Sequence, residues 1–302
     1  MTIDRPLLVV IAGSTAVGKT GLAISLANAF QTEILSADSR QFYREMSIGT
    51  AVPTPEQLSK ARHHFIHHLS IRDSYNVSRF ESDALSLLDD LFIQYPVVIM
   101  AGGSGLYIDA VCNGIDALPD PDPDIRQELR STLASGGTPA LMEILQKLDP
   151  VYSARVDKAN PVRLIRAIEV CRITGRPYST HLTKTSATRP FRICKVGLRL
   201  TMDELTVRIN DRLTAMMAAG WYEEALSLFP YRHLNALRTV GYRELFDHLE
   251  GLCTLDYALE KIRVNTRRYA KRQLTWFERD KEYTWFRPDE SGEITRFIRQ
   301  AL

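Results

Sequence analysis

Leu7-Leu8-Val9-Val10-Ile11-Ala12, running into Gly13-Ser14-Thr15-Ala16-Val17-Gly18-Lys19-Thr20, is the stretch that decides the fold. Six consecutive apolar residues are too few to span a membrane and read as a strand buried on both faces. The eight that follow fit G-x-x-x-x-G-K-[ST] at every defined position, and a helical pattern over about 20–30 comes next. Strand, glycine loop and helix in that order form the P-loop context. The loop's backbone N–H groups turn inward around phosphate oxygens, and the helix adds the positive end of its dipole. Lys19 neutralises phosphate charge, and the Thr20 hydroxyl can hold Mg2+ bridging two phosphates.

Working outward, Glu33-Ile34-Leu35-Ser36-Ala37 and Pro96-Val97-Val98-Ile99-Met100-Ala101 predict further buried strands. Apolar strands alternating with helices predict an α/β fold with a parallel sheet flanked by helices, of the P-loop NTPase-like kind. The texture changes at Leu118-Pro119-Asp120-Pro121-Asp122-Pro123. Helices are then expected over 125–134, ended by Gly136-Gly137, over 139–148, and from an Asn160-Pro161 cap to Gly175. Strand character returns over 192–200, a helix capped by Thr201 ends at Gly220, and the remainder reads as helical. The expected organisation is a discontinuous core, 1–116 and 196–302, with a mostly helical insertion domain, 117–195.

Composition is that of an ordinary globular protein, 45% hydrophobic and 25% charged, with a formal net charge of +2 over 302 residues. A diffuse polycation is excluded, so any nucleic-acid surface must be local. It is local in 261–287, where nine Lys or Arg face three acids and aromatics interleave. Arg263, Arg267 and Lys271 recur every four residues, a stripe suited to phosphate backbone. The four cysteines form no C-x-x-C pair, which argues against zinc or a disulfide framework. His63/His67 and His64/His68 have helical i,i+4 spacing, but no carboxylate or cysteine follows at ligand spacing, and a metal is not expected there. No stretch reaches membrane length, and the chain reads as cytoplasmic.

No N-K-x-D guanine motif occurs, and the strand over 96–101 ends in Gly102-Gly103 rather than in an acid. The nearest carboxylate is Asp38, just past the second strand, where ligands enter parallel sheets. A proton acceptor beside a held pyrophosphate implies group transfer to an O–H or N–H; the alternative is a turn aspartate. Arg208 and Arg212 share a helix face, which either grips pyrophosphate or is solvated.

These segments resemble the tRNA dimethylallyltransferases, the tRNA isopentenyltransferase family. The resemblance is carried by Gly13 to Thr20, Ser36 to Tyr43, Ile48-Gly49-Thr50-Ala51, Gly102 to Tyr107, Asn160 to Ala167, Val240-Gly241-Tyr242-Arg243 and Thr266 to Trp276, in family order. It implies transfer of the dimethylallyl group from dimethylallyl diphosphate to N6 of the adenosine at tRNA position 37. Catalysis would fall to Asp38, Thr20 and Arg212, with Gly13, Ser14, Thr15, Ala16, Val17, Gly18, Lys19 and Thr20 on the diphosphate and Mg2+ at Thr20. The resemblance puts Ser39, Arg40, Gln41 and Ser104 beside Asp38 at the flipped base. Arg126, Val162, Arg163, Leu164, Ile165 and Arg166 would approach the anticodon stem-loop from the insertion, and Arg238, Gly241, Tyr242 and Arg243 from the core. Arg62 and His67 depart from the family's usual proline and aspartate. A monomer is expected. Three other readings stand beside this one: an adenylate isopentenyltransferase, which needs neither the insertion nor the basic segment; a P-loop small-molecule kinase; and a noncatalytic RNA-binding module.

Overall fold

The computed structural model describes residues 5–183 and 187–302. The chain divides into two compact units, Met1–Asn113 with Thr188–Leu302, and Gly114–Ala187.

The first unit is built on one six-stranded, all-parallel sheet of order β3-β2-β4-β1-β5-β6. The strands are β1 (Leu7–Gly13), β2 (Ile34–Ser36), β3 (His63–His64), β4 (Val97–Gly102), β5 (Arg192–Leu198) and β6 (Thr284–Phe286). Its helices are α1 (Lys19–Phe30), α2 (Pro55–Lys60), α3 (Val77–Gln94) and α4 (Gly105–Asn113), then α8 (Met202–Ala218), α9 (Trp221–Leu228), α10 (Tyr242–Leu249), α11 (Leu255–Phe277) and α12 (Ser291–Gln300). The second unit holds α5 (Pro123–Leu148), α6 (Pro150–Ser153) and α7 (Pro161–Thr174).

Every residue of β1 is buried, as its unbroken apolar run requires. Alternation then splits the run between two cores. Leu8, Val10 and Ala12 join residues of α3, α4, α9 and α10 on one face. Leu7, Val9 and Ile11 join those of α1 and α12 on the other. Each such side chain contributes about 1.5–3 kcal/mol by leaving water.

Local signals set the helix ends. Thr201 and Glu204 form a capping box on α8. In the second unit Asn160 accepts from the Arg163 N–H at the start of α7, and Gly175 ends it at φ 67°. Gly137, at φ 65° and ψ −165°, breaks α5 in two, with Pro139 opening the second half.

Three expectations are corrected. His63 and His64 lie in β3, paired with Ile34 and Leu35, so the four histidines do not share a helical face. The chain after Gly220 is not all helical, because Thr284–Phe286 pairs with Val196–Leu198. The core does not resume at 196. The whole of β5 pairs with β1 in the first unit, and the division falls at 187/188.

Candidate active site

The strand order brings the C-terminal ends of β2, β4 and β1 side by side, and each feeds a loop into one crevice. From β1 comes the P-loop. Gly18, at φ 110°, makes the turn that L residues resist and hands the chain to α1. Asp38 lies just past β2 and Ser104 just past β4. The two loops are stitched together: the Ser39 N–H donates to Ser104 Oγ at 3.0 Å, and the Ser104 N–H to the Ala37 carbonyl at 3.2 Å. Asp38 Oδ1 accepts the Arg40 N–H at 3.1 Å, which fixes the carboxylate by a turn of its own making. Asp38 therefore makes a turn of its own and also lines the crevice.

Two cavities open here. The first, about 300 Å3, is lined by Thr15, Gly18, Lys19, Thr20, Ser36, Asp38, Gln41, Gly102, Arg212 and Gln273, among others. The second, about 110 Å3, is more apolar, with Ile209, Leu213, Met216, Trp221, Val240 and Ile262 in its wall. Thr15, Ala16, Asp38, Arg212 and Tyr269 line both and so ring their junction.

Positive charge gathers around the P-loop. Lys19 Nζ donates to the carbonyls of Gly13 at 3.0 Å and Ser14 at 2.7 Å. Burial brings its ammonium down to about 8, with Asp38 opposing the shift and Arg212 reinforcing it. Arg212 donates to Thr15 Oγ1 at 3.2 Å, and burial lowers its guanidinium too. Arg208 donates to the Val17 carbonyl at 3.0 Å. Both arginines of α8 therefore reach the P-loop, Arg212 half-buried and Arg208 exposed to solvent as well. Ser14 Oγ is fully buried there and has no hydrogen-bond partner among the described residues.

The other sequence-predicted residues divide by environment. Arg40 donates to the carbonyls of Asn235 and Ala236, and Gln41 to those of Thr50 and Ala51, so both brace the crevice. Arg238 and Arg243 are exposed. Tyr242 is fully buried and its hydroxyl donates to Glu224, while Gly241 packs against the Trp221 ring; neither offers a side chain to a partner. In the second unit Val162 and Arg163 are exposed, Ile165 is half-buried and Leu164 is core. Arg126 and Arg166 both bond the fully buried Glu169, at 2.7 Å each. Those guanidinium groups have an internal partner, which their sequence positions do not show.

Sequence reasoning gave Tyr269 and Gln273 no place at the site, taking Tyr269 as an aromatic interleaved with the α11 cations and Gln273 only as part of a family segment. Burial, with Asp38 adding to it, pushes the Tyr269 phenol up to about 12. The signal was available: residues 262, 266, 269 and 273 follow helical spacing on the face that lines the cavities, opposite the cations. Among the described residues no group of three or more His, Cys, Asp or Glu side chains is placed to hold a metal. No helix there is long and apolar enough to cross a membrane.

The family model described as IPP transferase matches residues 41–280. The chain is 48% identical to a tRNA dimethylallyltransferase 2 of Parabacteroides distasonis, over 98% of this chain and 99% of that one. It is also 48% identical to a tRNA dimethylallyltransferase of Christiangramia forsetii, over 95% of each. Among solved structures it resembles the tRNA isopentenylpyrophosphate transferase of Bacillus halodurans, with a TM-score of 0.73, 35% identity and 98% and 96% of the two chains covered. A eukaryotic dimethylallyltransferase described as acting on tRNA matches with a TM-score of 0.76 at 25% identity, over 90% of this chain and 70% of that one. With relatives this similar over nearly its whole length, and with a crevice whose cations surround a P-loop, the chain belongs to the tRNA dimethylallyltransferase family.

Proposed function

We propose that this protein transfers the dimethylallyl group of dimethylallyl diphosphate to N6 of the adenosine at tRNA position 37. The observation that carries the reading is the junction of the two cavities. It holds a carboxylate, Asp38, and a half-buried arginine, Arg212, between a P-loop and an apolar pocket. A diphosphate in the P-loop cavity places the allylic carbon near that junction. The amine N6 forms its bond to this carbon as the C–O bond breaks, and the bonding pair leaves with diphosphate. Asp38 takes the N6 proton. Positive character grows on the carbon and negative charge on the leaving oxygen. The P-loop amides, Lys19 and Arg212 lower the barrier by meeting that negative charge in a site already arranged for it.

Hard oxygen donors suit Mg2+, and here the Thr20 hydroxyl lies in the cavity with Asp38. Thr20 would hold the ion against the diphosphate, and the ion would supply further neutralisation of the leaving group. Ser39, Gln41 and Ser104 would meet a base flipped into the crevice beside Asp38, the flip costing a few kcal/mol. For the anticodon stem-loop, the second unit offers the exposed Arg163 and Val162, and the first unit by itself offers Arg238, Arg243 and the α11 cations. The protein acts as a monomer in the cytoplasm.

Calorimetry with Mg2+ separates this from kinase chemistry. Dimethylallyl diphosphate is expected to bind and to be displaced by inorganic diphosphate. Preference for ATP, with phosphoryl transfer to a hydroxyl, contradicts the proposal.

A further inference from the structure

Gln273 has no part in the chemistry above, yet it is built into the wall of the first cavity. It is only 6% exposed. Its Oε1 accepts the Thr15 N–H at 2.8 Å, and its Nε2 donates to the Gly103 carbonyl at 2.8 Å. One planar group therefore ties α11 to the P-loop after β1 and to the loop after β4. The fit leaves no slack, because a Cβ on Gly103 would collide with Nε2. The chemistry is also specific. One end must accept and the other donate, which a carboxamide does and an ionised carboxylate or a thioether does not.

Thr15 is the point where the site's parts converge. Its N–H is held by Gln273, its hydroxyl receives Arg212, and it lines both cavities. A shift of Thr15 therefore moves the P-loop's first turn and Arg212 together. We infer that Gln273 is a positioning residue for the donor site, a strut from α11 that fixes the P-loop and, through Thr15, the arginine that faces the leaving group. This inference rests on the donor-site reading given above.

The test measures inorganic diphosphate binding with Mg2+ to the wild type, Gln273→Met, Gly103→Ala and the double variant. Each single variant is expected to bind about tenfold more weakly, the scale of one buried hydrogen bond lost. The double variant should bind no more weakly than the poorer single one, because both changes break the same contact. In turnover the donor KM should rise about tenfold and kcat should fall about tenfold as Arg212 shifts with Thr15, while stem-loop affinity should be unchanged, a split that general loss of structure would not give. Should Gln273→Met not fold, Gly103→Ala carries the same reading. Wild-type affinity in Gln273→Met or Gly103→Ala, or losses that multiply fully in the double variant, overturns this inference alone. A wild type that does not bind diphosphate overturns the donor-site reading and this inference with it.

Discussion

Two clusters in this molecule gather arginines near a carboxylate, and they are wired in opposite ways. In the second unit Glu169 is fully buried and takes Arg126 and Arg166 directly, as well as the Asp122 N–H. Its charge is met inside the fold. In the crevice of the first unit, the bonds made by Lys19 and Arg212 go to loop carbonyls and a hydroxyl, and Asp38 uses one carboxylate oxygen, Oδ1, for the Arg40 N–H. Charges of both signs are held close, but among the described residues no contact ion pair joins them. A buried pair without vacancy is a structural device. Cations left without a carboxylate at contact distance suit an anionic ligand.

That contrast breaks first at Asp38. Asp38→Ala should lower turnover about 1000-fold, within the range of a lost general base, while stem-loop affinity stays within about threefold. Near-normal turnover in the variant would remove Asp38 as the base. Arg212→Ala should follow, with kcat reduced about 100-fold, as for a lost donor to a developing anion. An effect confined to thermal stability would class Arg212 with Arg126 and Arg166 instead.

Glu169→Ala sharpens the other side. It should lower unfolding stability by about 2 kcal/mol, below the usual 3–5 for a broken buried pair because both arginines are partly exposed. Diphosphate affinity should not change, and a loss there would contradict the division of labour. Lys19 gives a pH signature. In the free protein its ammonium lies at about 8, and a bound diphosphate favours the charged form, raising it. Affinity is therefore full below about pH 8 and should fall about tenfold per unit above it. Lys19→Met should flatten the profile; a flat wild-type profile would dissociate Lys19 from the ligand. The smallest effect is at Arg238, which is exposed. Arg238→Ala should weaken stem-loop binding severalfold and reduce its salt slope by about one. An unchanged slope would take Arg238 off the RNA surface.

The P-loop strand, its glycine turn, the Asn160 and Thr201 caps and the Gly137 break were legible because each is decided within a few residues. β3 and β6 were not. A strand of two or three residues carries no periodicity, and His63–His64 and Thr284–Phe286 become strands only by pairing with β2 and β5. The histidines then part company: His64 goes to Glu33 at 2.5 Å, His63 to the Ala61 carbonyl and His67 to Ser47. At the site, Asp38 could be read from its place past the second strand, whereas helix spacing offered Arg208 and Arg212 alike and only the family resemblance singled out Arg212. The partnership of Glu169 with Arg126 spans 43 residues, and that of Gln273 with Thr15 spans 258, so tertiary packing alone reveals them.

The most direct test incubates the protein with dimethylallyl diphosphate, Mg2+ and an anticodon stem-loop, then maps the RNA product by mass spectrometry, with free adenosine monophosphate as a parallel acceptor. The account predicts a single prenyl increment on the adenosine at position 37 of the stem-loop and none on the free nucleotide. An increment on the free nucleotide alone, or none on either while diphosphate binds, would contradict it.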